Sequence, residues 1–402
     1  MKILVLNCGS SSIKFQFFEM TSQTVLSKGI VDKVGLKGSH LKLTKHNGEQ
    51  VIFEGEIIDH KSGIEYVLGV LTSKKHGCIT NLSEITAVGH RVVHGGEMFS
   101  SSVLISNEVV TQMEKCIDLA PLHNPPNLKG IEAITDLIPE VDQVGVFDTA
   151  FHHTMPDFAY MYGIPYSLYK KYGIRRYGFH GTSHRYVSQR AAEILGVDFT
   201  KQKIITCHLG NGASAAAIQN GKSVDTSMGF TPVEGLLMGT RAGDLDIGAV
   251  IYLMEKENIG LESASILFNK HSGLLGITNI SSDTRDIKKA AEEGNELAQL
   301  SMKMFDYRVK KYIGSYTAAM NGCDILVFTG GVGENSASTR TGICASLDWL
   351  GYKIDEDKNN QLNGTEAVIN TTDSRVKILI VPTDEELMIA LDTKRIVEEK
   401  SL

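Results

Sequence analysis

The chain has 402 residues, with 40 Lys and Arg against 47 Asp and Glu and a formal net charge of −7. At roughly 100–200 residues per domain that length predicts two or three domains, and 42% hydrophobic with 22% charged residues is an ordinary globular composition. The negative balance gives no bulk electrostatic case for binding nucleic acid or an anionic membrane, and no apolar run approaches the ~18 residues that span a bilayer.

The N-terminal apolar run at residues 3–6 reads as a strand buried on both faces. After Gly9-Ser10-Ser11, residues 12–18 alternate, with Ser12, Lys14 and Gln16 on one side and Ile13, Phe15 and Phe17 on the other. Residues 25–31 read as a third strand, 59–71 as a helix, 85–93 as a strand and 107–119 as a helix capped by Asn107. A proline-rich break, Pro121-Leu122-His123-Asn124-Pro125-Pro126, precedes another helix, and residues 141–147 form a buried strand ending at Asp148. A second strand–turn–strand unit occupies 203–219, around Gly210-Asn211-Gly212. It lies over the first at an offset of 201, half the chain length, which hints at duplication of one β-rich unit. Further on, 301–320 reads as a long helix, 324–329 as a buried strand entering Gly330-Gly331-Val332-Gly333, and 377–381 as a strand before a final helix opened by Glu385 and Glu386.

The N-terminus turns polar at Asn7, too early for a secretory core. Six scattered cysteines without a CxxC pair suit reduced thiols better than a disulfide framework or a zinc site.

Three glycine turns directly follow buried strands, and glycine there lets backbone N–H groups close on an anion. The usual nucleotide loops do not match. Gly221-Lys222-Ser223 has Ala216 where a Walker loop needs glycine, and Gly331-Val332-Gly333 has Ser336 in place of the third glycine of a dinucleotide fingerprint. Arg91, in Gly89-His90-Arg91-Val92-Val93-His94-Gly95-Gly96, and Arg241, in Gly239-Thr240-Arg241-Ala242-Gly243-Asp244, are set among glycines and apolar residues. Such an arginine serves either a bound carboxylate or phosphoryl group or a structural ion pair. His180 and His184 are four apart, but no acidic third ligand is near, so His180 is either a hydrogen-bond donor at a site or a core histidine. Asp148 ends a buried strand, where acids of α/β folds face the active crevice. Glu385 either binds Mg²⁺ or complements a helix dipole.

Taken together, the stretches Val5-Leu6-Asn7-Cys8-Gly9-Ser10-Ser11-Ser12-Ile13-Lys14, Gly89 to Gly96, Phe147-Asp148-Thr149-Ala150-Phe151-His152, Tyr177-Gly178-Phe179-His180-Gly181-Thr182-Ser183-His184, His208-Leu209-Gly210-Asn211-Gly212, Met238 to Asp244, Thr329 to Asn335 and Pro382-Thr383-Asp384-Glu385-Glu386 resemble the acetate kinase family over essentially the whole chain. The resemblance implies an α/β fold of two duplicated actin-like (ribonuclease H-like) domains with an interdomain cleft. The first domain is expected at residues 1–150 joined by the C-terminal helix 386–402, the second at 151–385. It implies reversible phosphoryl transfer from ATP to acetate, giving ADP and acetyl phosphate, with Mg²⁺ as cofactor and Mn²⁺ able to substitute. It further implies a cytoplasmic homodimer with no nucleic-acid or membrane partner.

Carried over by residue, the resemblance assigns Mg²⁺ to Asn7 and Glu385, and catalysis to Asp148, His180 and Arg241. The acetate carboxylate falls to Arg91, and its methyl group to Val93, Leu122, Phe179 and Pro232. Ser10, Ser12 and Lys14 would line the phosphate path, and His208, Leu209, Gly210, Asn211 and Gly212 would cradle phosphates. Asp283, Thr284 and Arg285, with Gly331, Val332, Gly333, Glu334 and Asn335, would hold the adenosine. Asp384 departs from the asparagine expected in many members. The alternatives are a propionate or butyrate kinase of the same family and a non-catalytic actin-like binding module, which has no need of Arg91, His180 and Arg241.

Overall fold

A computed structural model describes residues 1–400. The chain divides into two compact units, one of residues 1–151 with the segment from Asp384 onward, the other of His152–Thr383. Glu385, expected at the end of the second domain, therefore belongs to the first unit.

The first unit is built on eight strands, β1 (Lys2–Cys8), β2 (Ser12–Glu19), β3 (Thr24–Asp32), β4 (His40–Lys45), β5 (Gln50–Glu54), β6 (Ala87–Val92), β7 (Val103–Leu104) and β8 (Asp142–Phe147). Their order is β5-β4-β3-β2-β1-β6-β8-β7. Strands β1 to β5 form an antiparallel meander, whereas β1, β6 and β8 run parallel. Both faces of β1 are buried: Leu4 and Leu6 pack with Ile13, Phe15 and Phe17, Ile3 and Val5 with Val144, Val146 and Ile389. Ile389 lies on the final helix, Glu385–Lys400. Gly89 of β6 admits that helix, because a Cβ there would sit 2.5 Å from Thr393 Oγ1 and 2.7 Å from Ile389 Cγ2. The same contact brings the start of the helix toward the end of β6.

Two local expectations are corrected. The helix read at 107–119 is Asn107–Lys115, and its cap is Ser106, whose extended backbone frees its hydroxyl to accept from the Val109 N–H at 3.3 Å. Strands β4 and β5 were not read from the sequence, since each alternates over only a few residues.

The second unit carries β9 (Lys203–Leu209), β10 (Ala213–Gln219), β11 (Lys222–Thr226), β12 (Ile325–Thr329), β13 (Ala367–Val368) and β14 (Lys377–Ile380), in the order β11-β10-β9-β12-β14-β13. Strands β9, β12 and β14 are parallel, and β10 is antiparallel to both its neighbours. The pattern repeats the first unit: β9 and β10 correspond to β1 and β2, and β12 and β14 to β6 and β8. The segment after β12, expected as a glycine turn, is a short helix, Gly330–Asn335. Gly330 makes its entry possible at φ +75, where a Cβ would lie 2.7 Å from the Leu209 carbonyl oxygen. Among the described residues no helix is long and apolar enough to cross a membrane, and all six cysteines are free.

Candidate active site

In the first unit the parallel strands end at the polar cluster, the position where open α/β sheets place ligands. Arg91 is the penultimate residue of β6 and Asp148 follows β8. The guanidinium grips Asp148 with two bonds, Nη2 to Oδ2 at 2.6 Å and Nε to Oδ1 at 3.1 Å, and lies 3.9 Å from Glu385 Oε2. Burial alone would lower the pKa of Arg91, but Asp148 and Glu385 outweigh it and leave it raised. Burial pushes the Glu385 carboxyl up to about 7, helped by Asp148 and Glu386 and opposed by Arg91 and Lys14. Acidic groups thus outnumber the cations here, and both Glu385 and the Asn7 amide offer the oxygen ligands that a hard divalent cation takes, although no group of three or more His, Cys, Asp or Glu among the described residues is placed to hold a metal ion. Lys14 faces Asn7 across the β1–β2 ladder, which puts both side chains on one face of the sheet. In the turn between them the Gly9 N–H donates to the Ser12 carbonyl at 2.8 Å, leaving Ser10 exposed. Asp384 caps the final helix, accepting from the Leu387 N–H at 2.9 Å. Asparagine would do the same, so the cap itself does not need the charge. Val93 is half-buried and Leu122 exposed.

In the second unit His180 stands at the N-terminus of the helix Gly181–Leu195 with φ +56, a left-handed conformation uncommon for a side chain of this size. Its Nδ1 lies 2.9 Å from Ser214 Oγ, and its ring stacks on His208 with centroids 4.4 Å apart. His208 Nδ1 lies 2.8 Å from Ser183 Oγ. Gly212 faces this group: a Cβ there would lie 3.4 Å from Arg241 Nη1 and 3.6 Å from His180 Nε2. His180, Arg241 and the glycine turn therefore converge on one spot.

Arg241 rides on the loop from Gly235 to Asp244, which is closed at its base. The Gly235 N–H donates to Asp244 Oδ1 at 2.9 Å, and the Asp244 N–H to the Gly235 carbonyl at 3.0 Å. The Asp244 carboxylate also accepts from Arg308 Nη1 at 3.1 Å and from the Tyr312 hydroxyl, fastening the loop to the long helix Glu296–Ala319. Within this frame Arg241 Nη1 finds only the Pro232 carbonyl at 3.4 Å and Met238 sulfur at 3.8 Å. No carboxylate among the described residues pairs with it, and burial lowers its pKa. The two arginines thus differ: Arg91 has acid partners, and Arg241 is a half-buried cation with none among the described residues. Pro232 is half-buried, whereas Phe179 is buried and its carbonyl accepts from His152 Nε2 at 3.0 Å.

A cavity of about 560 Å³ opens beside this cluster in the same unit. Gly210 and Asn211 form one wall, Asp283, Thr284 and Arg285 another, and Gly331, Val332 and Asn335 a third. Asp283 caps the helix Thr284–Glu292 and pairs with Arg285. Gly333 and Glu334 do not line the cavity; their carbonyls accept from Arg340 Nη1 at 2.8 and 3.0 Å. Arg340 is fully buried and holds the short helix from behind. The sequence reading missed it, and it missed Lys288, which lines the cavity and donates to Ser338 Oγ at 3.0 Å. Lys288 lies one turn past Thr284, the helical spacing that could have revealed it. His208, Leu209 and Gly212 likewise lie off the cavity, the first and last within the histidine–arginine cluster.

Two α/β units of matching strand order, an arginine with no acid partner among the described residues and a glycine-walled cavity are the features of a two-unit α/β phosphotransferase. The chain belongs to the acetokinase family, whose model matches residues 2–391. It is similar to an acetate kinase of Azobacteroides pseudotrichonymphae, 64% identical over 98% of this chain and 99% of that one. An acetate kinase of Parabacteroides distasonis is 60% identical over 100% of both chains. Among solved structures, Porphyromonas gingivalis acetate kinase superposes with a TM-score of 0.95 at 56% identity, covering 98% of this chain and 99% of that one. A propionate kinase from Francisella tularensis superposes with a TM-score of 0.91 at 43% identity, with the same coverage.

Proposed function

We propose that the protein phosphorylates acetate from ATP, reversibly, giving acetyl phosphate and ADP. The observation that carries this reading is the convergence of His180 Nε2 and the unpaired Arg241 guanidinium on Gly212, beside a cavity of nucleotide size. Acetate is ionised at pH 7 and needs no deprotonation. The task is to bring an anion to a polyphosphate, so positive groups and donors matter more than a general base. Arg91 binds the carboxylate, and Asp148 fixes the plane of its fork. The residues from Gly210 to Gly212 and the Gly331–Asn335 segment hold the nucleotide, with Asp283, Thr284 and Arg285. Arg241 and His180 take up charge on the transferring phosphoryl group. Mg²⁺, when bound through Asn7 and Glu385, would neutralise phosphate charge.

Transfer is direct and in line, and a substrate with a chiral γ-phosphorus is expected to show inversion; net retention would overturn direct transfer. A hydroxamate assay across acetate, propionate and butyrate tests the acceptor. Acetate is expected to give the highest kcat/KM, with propionate lower by roughly 10-fold or more, since one methylene is worth about 1–3 kcal/mol. A higher value for propionate or butyrate would reassign the substrate, and no turnover of any acid would leave a binding module. The protein is further proposed to act as a cytoplasmic homodimer. Its free cysteines suit a reducing compartment. The exposed Ile247, Ile251 and Tyr252, on the helix Ile247–Lys256, offer an apolar face for a second copy.

A further inference from the structure

Behind His180 lies a line of buried polar groups with no part in the reaction described above. His184 is fully buried. Its Nδ1 is 2.7 Å from Thr206 Oγ1 and its Nε2 is 2.7 Å from Ser214 Oγ. Ser214 Oγ in turn is 2.9 Å from His180 Nδ1. Thr206 and Ser214 are also fully buried, on β9 and β10. The groups therefore form one chain, Thr206–His184–Ser214–His180, that ends at the reacting centre.

The chain can carry its hydrogens in two directions, and a count of donors separates them. A third arrangement, with both rings donating to Ser214 Oγ, leaves the buried Ser214 hydroxyl hydrogen without an acceptor among the described residues. Burial, with His152 and His208 nearby, holds the pKa of His184 well below its ordinary value, so the ring is neutral and has one N–H. In one direction Thr206 donates to His184 Nδ1, His184 Nε2–H donates to Ser214 Oγ, and the Ser214 hydroxyl donates to His180 Nδ1. Every hydrogen of the three buried groups then has an acceptor, and the one that remains, on His180 Nε2, faces Gly212 at the site. In the other direction His180 Nδ1–H donates to Ser214, Ser214 to His184 Nε2, and His184 Nδ1–H to Thr206. The Thr206 hydroxyl hydrogen is then left without an acceptor, because Thr206 Oγ1 has no other hydrogen-bond partner among the described residues. A buried unsatisfied donor is costly, so the first direction prevails.

We propose that Thr206, His184 and Ser214 are positioning residues that fix the neutral His180 ring in the tautomer protonated at Nε2. The nitrogen that faces Gly212 beside Arg241 is then an N–H donor without the ring having to become an imidazolium. The inference rests on the proposed function only for what His180 donates to, namely the transferring phosphoryl group. The tautomer itself is a property of the protein without substrate.

Nitrogen NMR of the full-length protein labelled with ¹⁵N-histidine tests it directly, with the His180→Asn spectrum identifying the His180 signals. At a pH where the ring is neutral, His180 Nε2 is expected to carry the proton and Nδ1 to behave as a hydrogen-bonded acceptor. A proton on Nδ1 would overturn the proposal. Ser214→Ala removes the donor to Nδ1 and is expected to lower kcat about tenfold, the effect of one oriented hydrogen bond, with the acetate KM unchanged. The His180 Nδ1 signal should move toward that of a free acceptor. An unchanged kcat and an unchanged Nδ1 signal would also overturn it. If Ser214→Ala does not fold, the wild-type spectrum still decides. Failure of acetate turnover by the wild-type protein would sink the proposed function while leaving the tautomer standing.

Discussion

Replacing Arg241 with alanine is expected to lower kcat by ~10²–10³ and to change the acetate KM far less. The reason is electrostatic. Among the described residues Arg241 has no carboxylate partner, and its neighbours, the Pro232 carbonyl and Met238 sulfur, are weak acceptors at 3.4 and 3.8 Å. Its charge is therefore available to an incoming anion, and in a site partly shielded from water that charge acts strongly. The loss should fall on turnover, because negative charge spreads over the equatorial oxygens as the phosphoryl group moves. Arg241→Lys keeps a charge without the planar fork and should recover only part of the rate. Stability should change little, since the loop is held by Asp244, Arg308 and Tyr312 and not by Arg241. Steady-state kinetics and a thermal melt check both halves. Wild-type turnover in Arg241→Ala would remove the residue from the mechanism.

Arg91→Ala is expected to behave differently, damaging acetate use and the fold together. Asp148 is 1% exposed and is held by the Arg91 fork. Removing the guanidinium strands a buried carboxylate, at about 3–5 kcal/mol when one partner of a buried pair is lost. The lower end applies here, because Arg91 is partly exposed. A urea titration should show that loss as a shift in midpoint. The acetate KM should rise and kcat fall. The double variant Arg91→Ala with Asp148→Asn separates the two effects, since it removes the stranded charge and should regain much of the stability without regaining acetate use. Wild-type acetate KM and kcat in Arg91→Ala would make the carboxylate role wrong, leaving Arg91 as a structural partner of Asp148 alone.

The sequence was informative wherever a short range of residues decides the outcome. The doubly buried β1, the alternation that turns Ile13, Phe15 and Phe17 inward, and the glycine that ends each central strand are local matters of period and backbone freedom. The repeat at half the chain length foretold that β9 and β10 would reproduce β1 and β2, since duplicated segments keep their hydrophobic spacing. Local signals failed where a contact from outside the element, and not its own composition, sets its conformation or its end. The helix Gly330–Asn335 carries three glycines in six residues and looks like a turn; it is helical with Arg340, on the helix that follows, bonded to the carbonyls of Gly333 and Glu334. Ser106 displaced Asn107 as a cap because the cap position is set by backbone direction, which composition does not reveal.

The site divides along the same line. From the residues alone, Arg91 and Arg241 were equivalent, each an arginine among glycines. Only the folded chain distinguishes them, by placing Asp148 and Glu385 around one and, among the described residues, no paired acid against the other. Likewise the spacing of His180 and His184 suggested a pair, while their link through Ser214 depends on β10 packing beside their helix. By itself the sequence determined which side chains are available, where the chain can turn sharply and which faces must be buried, because those follow from neighbours within a few residues. Tertiary structure decided which charges are paired and which hydroxyl orients which ring, because electrostatics and hydrogen bonding act over a few ångströms between residues far apart in the chain.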